Sequence, residues 1–230
     1  MPAETVQPTP LIFWVAFHVA VLAVLAIVWA ANLYNFMDGA DGLAGGMALF
    51  GFGSYAIAAF LSGADLYGVL CASIAAASAG FLVFNFPPAR IFMGDAGSVP
   101  LGFLAGALGV LGWSRGYWPL WFPLLVFAPF VCDATLTLLR RILRRERVWQ
   151  AHKEHYYQRL VRMGFGHRGT AWIEYAAMAG CAGVALAARR EPVAVQTAAL
   201  AGAAAVLIAV ALWVDARWAR HGRSAGEGTR

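Results

Sequence analysis

The chain has 230 residues, of which 61% are hydrophobic and 13% charged, against about 25% charged in ordinary soluble domains. So few charges cannot cover a water-facing surface, which argues against a soluble globular enzyme. So much apolar content argues equally against disorder, whereas nine Trp and 25 Gly fit a polytopic membrane protein. Charge is placed unevenly: residues 1–89 carry four acids and no Lys or Arg, and residues 90–230 carry all 17 bases, for a net +5. Cys71, Cys132 and Cys181 each lie in an apolar stretch without CxxC or Cys/His spacing, so they read as small core residues.

A bilayer core needs about 20 apolar residues per helix. Seven stretches qualify: 11–31, 44–64, 66–89, 98–114, 116–139, 169–188 and 192–214. They predict an all-α membrane helical bundle, one integral-membrane domain over 1–230, with a basic loop at 140–168. The first span has no basic flank and is long enough to cross, unlike a cleavable signal peptide. Its one polar residue, His18, reads as packed or hydrogen-bonded in the core.

Next comes Asn32-Leu-Tyr-Asn35-Phe-Met-Asp38-Gly-Ala-Asp41-Gly42. Its polar side chains recur every three residues, which on a helix keeps them near one face. Two carboxylates at the mouth of a span are costly unless they meet water, a metal or cations. A plain hydrated loop is the alternative.

The third span ends at Pro87-Pro88 and leads into Phe92-Met-Gly94-Asp95-Ala-Gly97-Ser98. Ser98 is placed to cap the next helix, and its N-terminus offers amides and a dipole to a phosphate. Asp95 suits a magnesium ion bridging that phosphate; an ordinary Gly/Ser turn is the other reading. Gly102 and Gly106 form a GxxxG, which reads as helix packing. Trp113, Trp118 and Trp121 read as an aromatic belt.

The span 116–139 holds three prolines and Asp133, which is either functional or paired with a neighbouring helix. The loop 140–168 opens with five arginines that suit anionic lipid and continues Ala-His152-Lys-Glu-His155-Tyr-Tyr-Gln-Arg159. His152, His155 and Arg159 can share a helix face and suit a polyanion; a His pair could also begin a metal site. Glu174 reads as interfacial.

With the N-terminus outside and the C-terminus in the cytoplasm, 14 of the 17 Lys/Arg lie inside, as the positive-inside rule requires. All three polar clusters then fall on the inner face.

Taken in order, the three motifs resemble those of the polyprenyl-phosphate N-acetylhexosamine-1-phosphate transferases, glycosyltransferase family 4. The resemblance is to the O-antigen and enterobacterial common antigen initiators, which are related to the phospho-N-acetylmuramoyl-pentapeptide transferase. It implies a bundle of ten or eleven spans that moves a sugar 1-phosphate from a UDP-sugar to undecaprenyl phosphate, releases UMP and starts a cell-envelope glycan. It also implies magnesium, with manganese as an alternative, and a multi-pass protein of the bacterial inner membrane with a cytoplasmic site. The partners it implies are UDP-N-acetylhexosamine, the lipid phosphate and the bilayer, with no nucleic acid; a homodimer is an open alternative.

Residue by residue, Asp38 and Asp41 match the DGxDG acids near the reacting phosphates. Asn35 matches the asparagine close to the metal, with Asn32 one turn earlier on the substrate side. Asp95 matches the magnesium-binding acid, and Phe92 an aromatic that stacks on uracil. His152 and His155 match the histidine loop at the diphosphate, with Arg159 beside them.

Two departures stand out. The histidine motif is His-x-x-His-Tyr-Tyr, not a run of adjacent histidines. No Asp-Asp pair, found in the family's early spans, occurs anywhere in the chain. The expectation is of a chain matching only the family's later spans. A non-catalytic fragment, a membrane subunit and an ion-coupled transporter are the alternatives.

Overall fold

A computed structural model describes residues 10–147 and 154–227, with side chains described as far as residue 221. The described residues are mostly helical, with short connections and no strands. Helix α1 runs over Pro10–Phe36, longer than its apolar run. Asn32 and Asn35 ride on its last turns, where Asn32 Nδ2 donates to the Val28 carbonyl at 2.8 Å. A tight turn leads into α2, Leu43–Phe60, through Gly42, whose φ of 77° is open to glycine at little cost.

Helix α3, Asp65–Asn85, stops because Phe86 precedes a proline and takes an extended ψ of 141°, as the steric demand of the proline ring dictates. Helix α4, Asp95–Ser114, packs along α1. A Cβ at Gly102 would stand 2.6 Å from the Ala30 carbonyl oxygen, and one at Gly106 would stand 3.0 Å from Ile27 Cα. The GxxxG is therefore the surface on which α4 meets α1.

The predicted span 116–139 is two helices, α5 at Trp121–Val126 and α6 at Ala128–Leu143. Pro129 lacks the N–H that would bond the Leu125 carbonyl, so the ladder breaks near Phe127. Among the described residues, six other stretches are long and apolar enough to cross a membrane. A short α7, Tyr156–Leu160, joins a π-turn at Val161–Phe165 and then α8, Gly166–Ala188. Helix α9, Val193–Glu227, continues well past its expected end at 214.

Helix α2 is the enclosed element, with α3 and α8 packed on it. Its Phe52 and Tyr55 meet Phe127, and Tyr55 stacks on Trp118 with centroids 4.9 Å apart. Trp118 is only 3% exposed, so it is a core ring and not part of a belt. Gly112 leaves it room, since a Cβ there would meet the indole at 2.0 Å. His18 does hydrogen-bond, to the Trp14 carbonyl at 2.6 Å, but on an exposed face of α1 and outside the core. All three cysteines are free thiols.

Contacts sort the chain into two ends. At one, Ser62 Oγ lies 3.0 Å from the Tyr117 carbonyl and receives Arg190 Nη2 at 3.2 Å. The α1–α2, α3–α4 and α7–α8 connections meet at the other.

Candidate functional site

The acidic end is assembled by a few buried hydrogen bonds. Asn85, at the last residue of α3, is 6% exposed. Its Oδ1 accepts the Gly42 N–H at 2.9 Å, and its Nδ2 donates to the Ile91 carbonyl at 2.8 Å. One amide thus pins the first polar turn to the second. Tyr175 of α8 donates its hydroxyl to the Gly42 carbonyl at 2.7 Å, adding a third element to the same turn.

Asp38 and Asp95 lie on the two turns that this joint pins together. The Gly94 backbone and the Asp95 charge both act on the Asp38 carboxylate. Burial pushes the Asp38 carboxyl up to about 6; the Gly94 amide works against that rise, and the Asp95 charge adds to it. Asp95 itself opens α4 and is exposed. Ser98 is not the cap of α4. The helix starts three residues before it, and the Ser98 hydroxyl turns back to the Gly94 carbonyl at 3.1 Å.

Asp41 has different company. Its Oδ2 accepts the Ala89 N–H at 3.1 Å, and its Oδ1 lies 3.2 Å from His167 Nδ1. That nitrogen is also 3.1 Å from the Asp41 amide. Asn35 sits on the last turn of α1, and its carbonyl accepts the Asp38 N–H at 3.2 Å. Asn32 lies a turn earlier, with its amide turned back on α1. Phe92 projects from the α3–α4 connection with 77% of its surface exposed, open to a planar ligand.

His152 lies outside the described residues. His155 does not stand on an exposed face: it is 3% exposed, with Nδ1 3.0 Å from Asp133 Oδ1. The Asp133 carboxylate also accepts the Tyr156 and Tyr157 amides, each at 3.0 Å, and the Thr137 hydroxyl at 3.2 Å. Four donors on one buried carboxylate offset its loss of water. An ion path through Asp133 would need it open to a cation, and it is not.

Arg159 is 7% exposed and donates to Asp215 Oδ1 at 2.8 Å. Arg140 grips the same carboxylate through both terminal nitrogens, at 2.8 and 2.6 Å. Tyr157 stacks on the His155 ring and donates its hydroxyl to the Phe36 carbonyl at 3.3 Å. The histidine segment therefore rests on the loop that carries Asp38.

Sequence reasoning brought together Asp38, Asp41 and Asp95 but gave no role to Asn85, Tyr157, His167 or Tyr175. Asn85 and Tyr157 stood inside motifs already singled out, and polar side chains there were the available signal. His167 and Tyr175 carried none, because nothing in their spacing points 126 residues back along the chain to Asp41.

A family model described as glycosyl transferase family 4 matches residues 4–112. Over 164 residues the chain is 35% identical to a Bacillus subtilis (strain 168) protein named as a probable undecaprenyl-phosphate N-acetylglucosaminyl 1-phosphate transferase, covering 70% of this chain and 45% of that one. It is 44% identical over 91 residues to a phospho-N-acetylmuramoyl-pentapeptide-transferase of Geobacillus thermodenitrificans (strain NG80-2), covering 40% and 28%. A Staphylococcus aureus (strain bovine RF122 / ET3-1) protein of the same name is 38% identical over 96 residues, covering 42% and 30%. The chain thus spans less than half the length of these relatives.

Proposed function

Because the chain belongs to glycosyl transferase family 4, we propose that it transfers an N-acetylhexosamine 1-phosphate from a UDP-sugar to a polyprenyl phosphate and releases UMP. The observation that carries this reading is the pinning of the Asp38–Asp41 turn to the turn before Asp95, through Asn85 and the Ala89 amide, at one end of an apolar bundle. That end also gathers the connections richest in arginine, which supports a cytoplasmic site in a bacterial inner membrane.

The lipid phosphate oxygen attacks the phosphorus bonded to the sugar oxygen. The bond from that phosphorus to the bridging oxygen breaks, and UMP departs with the electron pair. Such a transfer asks for positioning and charge neutralisation more than covalent help from the protein. Asp38, held half-buried near neutrality, is suited to take the proton of the lipid phosphate. Phe92 is open to stack on the base. The His155 segment, seated against the Asp38 loop through Tyr157, closes the diphosphate side of the site.

Among the described residues no three His, Cys, Asp or Glu side chains form a metal cage. Two carboxylates in reach of one another suit magnesium, which binds through one or two carboxylates and substrate phosphates. Asp95, with Asn35 on the adjoining turn, would hold it, and when bound it would neutralise diphosphate charge.

For the lipid, an apolar cavity of about 430 Å³ follows α1, α4 and α5. Leu33 and Tyr34 line its acidic end, and Trp113 and Leu120 line the other. A prenyl chain in this cavity would begin little more than a helical turn from Asp38.

The test is UMP release by the purified chain with UDP-GlcNAc, undecaprenyl phosphate and magnesium. Turnover is expected in the parent chain and none in Asp95→Asn. Full turnover in that variant would remove Asp95 from the reaction.

A further inference from the structure

Asp133 lies in α6, a span away in sequence from the acids at the first two turns, yet its carboxylate organises the histidine segment. Oδ1 takes three contacts, from His155 Nδ1, the Tyr156 amide and the Thr137 hydroxyl, and Oδ2 takes the Tyr157 amide. Backbone amides can only donate. An oxygen already accepting an N–H and an O–H has no place for a proton of its own, so the proton shared with His155 belongs to the ring. His155 is therefore held with a proton on Nδ1.

The same carboxylate caps the start of α7 by taking its first amides. That fixes the backbone from which the Tyr157 side chain reaches the Phe36 carbonyl at 3.3 Å. The ring of His155 and the ring of Tyr157 lie nearly parallel, 20° apart. One buried acid thus sets the tautomer of the histidine, the direction of its ring and the seating of its segment against the Asp38 loop.

We propose that Asp133 is a positioning residue for the transfer reaction: it holds the His155 ring with a proton on Nδ1 and seats the histidine segment against the loop that carries Asp38. The role in transfer rests on the transferase reading given above; the tautomer does not. Carboxylates that orient a metal-bound histidine typically change metal affinity or activity about 10- to 100-fold when removed, and a loss of the same order is expected here.

The experiment is 15N NMR of the full chain in lipid nanodiscs, with the imidazole nitrogens labelled and His155 assigned by the signal lost in His155→Gln. The expected spectrum has a protonated Nδ1. In Asp133→Asn the ring should shift toward the Nε2–H tautomer, and kcat for UMP release should fall about 10- to 100-fold with a smaller change in KM. Thr137→Val removes one donor and should leave the tautomer intact.

A parent spectrum showing an unprotonated Nδ1 overturns the proposal even if Asp133→Asn fails to fold. So does an Asp133→Asn protein with unchanged tautomer and kcat. An Nδ1–H ring in a chain that releases no UMP would sink the transferase reading while upholding the hold of Asp133 on His155.

Discussion

Tyr157 donates its hydroxyl to the carbonyl of Phe36, so the histidine segment and the first acidic loop share a contact surface. Gly39 lies directly beneath it. A Cβ at Gly39 would fall 2.1 Å from Tyr157 Oη and 3.1 Å from the ring carbon that bears it. Gly39→Ala is therefore expected to displace the tyrosine, at a cost typical of overpacking, about 1–3 kcal/mol.

Removing the hydroxyl alone relieves the worst of that clash, so Gly39→Ala with Tyr157→Phe should be more active than Gly39→Ala by itself. A double-mutant cycle on UMP release reads the coupling. Additive losses would mean that the two residues do not touch in the working protein.

Asp38 gives a pH signature. Its folded value near 6 lies above the ordinary 3.8, first because of burial and further because of Asp95. The folded protein then holds this proton more tightly than the unfolded chain does. Its stabilising contribution is complete below about pH 4 and is lost as pH rises through 6. With EDTA present, the thermal midpoint of the parent chain should drop between pH 4 and 7 by more than that of Asp38→Asn. In Asp95→Asn the Asp38 titration should move down but stay above 3.8, since burial is the larger cause. Equal pH profiles for parent and Asp38→Asn would contradict the burial of this carboxyl.

What the sequence disclosed and withheld follows from how far each signal reaches. Apolar length located the helices, because the bilayer imposes it on every span separately. It failed at 116–139, where composition remains apolar through Pro123 and Pro129 but the hydrogen-bond ladder does not. It also set the end of α9 at 214, although the helix continues through Asp215. Asp215 serves two arginines and is not merely a solvated end. Asp38, Asp41 and Asp95 were legible because local motifs carry them. Asp133 was legible as unusual but not as a cap, since its partners lie 22 to 24 residues away across a loop. Arg159 looked like a ligand for a phosphate because sequence shows its charge and not the carboxylate of α9 that meets it.

That carboxylate separates structural arginine from substrate arginine. Asp215 binds Arg140 and Arg159, and the Arg159 side chain is 8% exposed against 27% for Asp215. Asp215→Ala should cost about 2–3 kcal/mol, less than the roughly 3–5 kcal/mol of a fully buried pair because water reaches the acid. Chemical denaturation in detergent measures it. If Arg159 acts through Asp215, Arg159→Ala and Asp215→Ala should lose stability together, with a non-additive double variant and little change in KM. A raised KM for the UDP-sugar in Arg159→Ala alone would assign that arginine to the substrate.

His167 presents one nitrogen to two groups of the same residue. Nδ1 is 3.1 Å from the Asp41 amide and 3.2 Å from Asp41 Oδ1. An unprotonated Nδ1 can only accept from the amide, and a protonated one can only donate to the carboxylate. Either bond ties the start of α8 to the acidic loop, while the Ala89 amide holds Asp41 Oδ2 from the other side. Loss of one such bond is worth about 1 kcal/mol, close to a fivefold change in rate. His167→Ala should therefore lower kcat/KM for UMP release by about three- to tenfold and leave the helix content by circular dichroism unchanged. Asp41→Asn keeps an acceptor for Ala89 and should make the further loss from His167→Ala smaller than in the parent. An undiminished His167→Ala effect in the Asp41→Asn background would mean that the histidine acts on something other than Asp41.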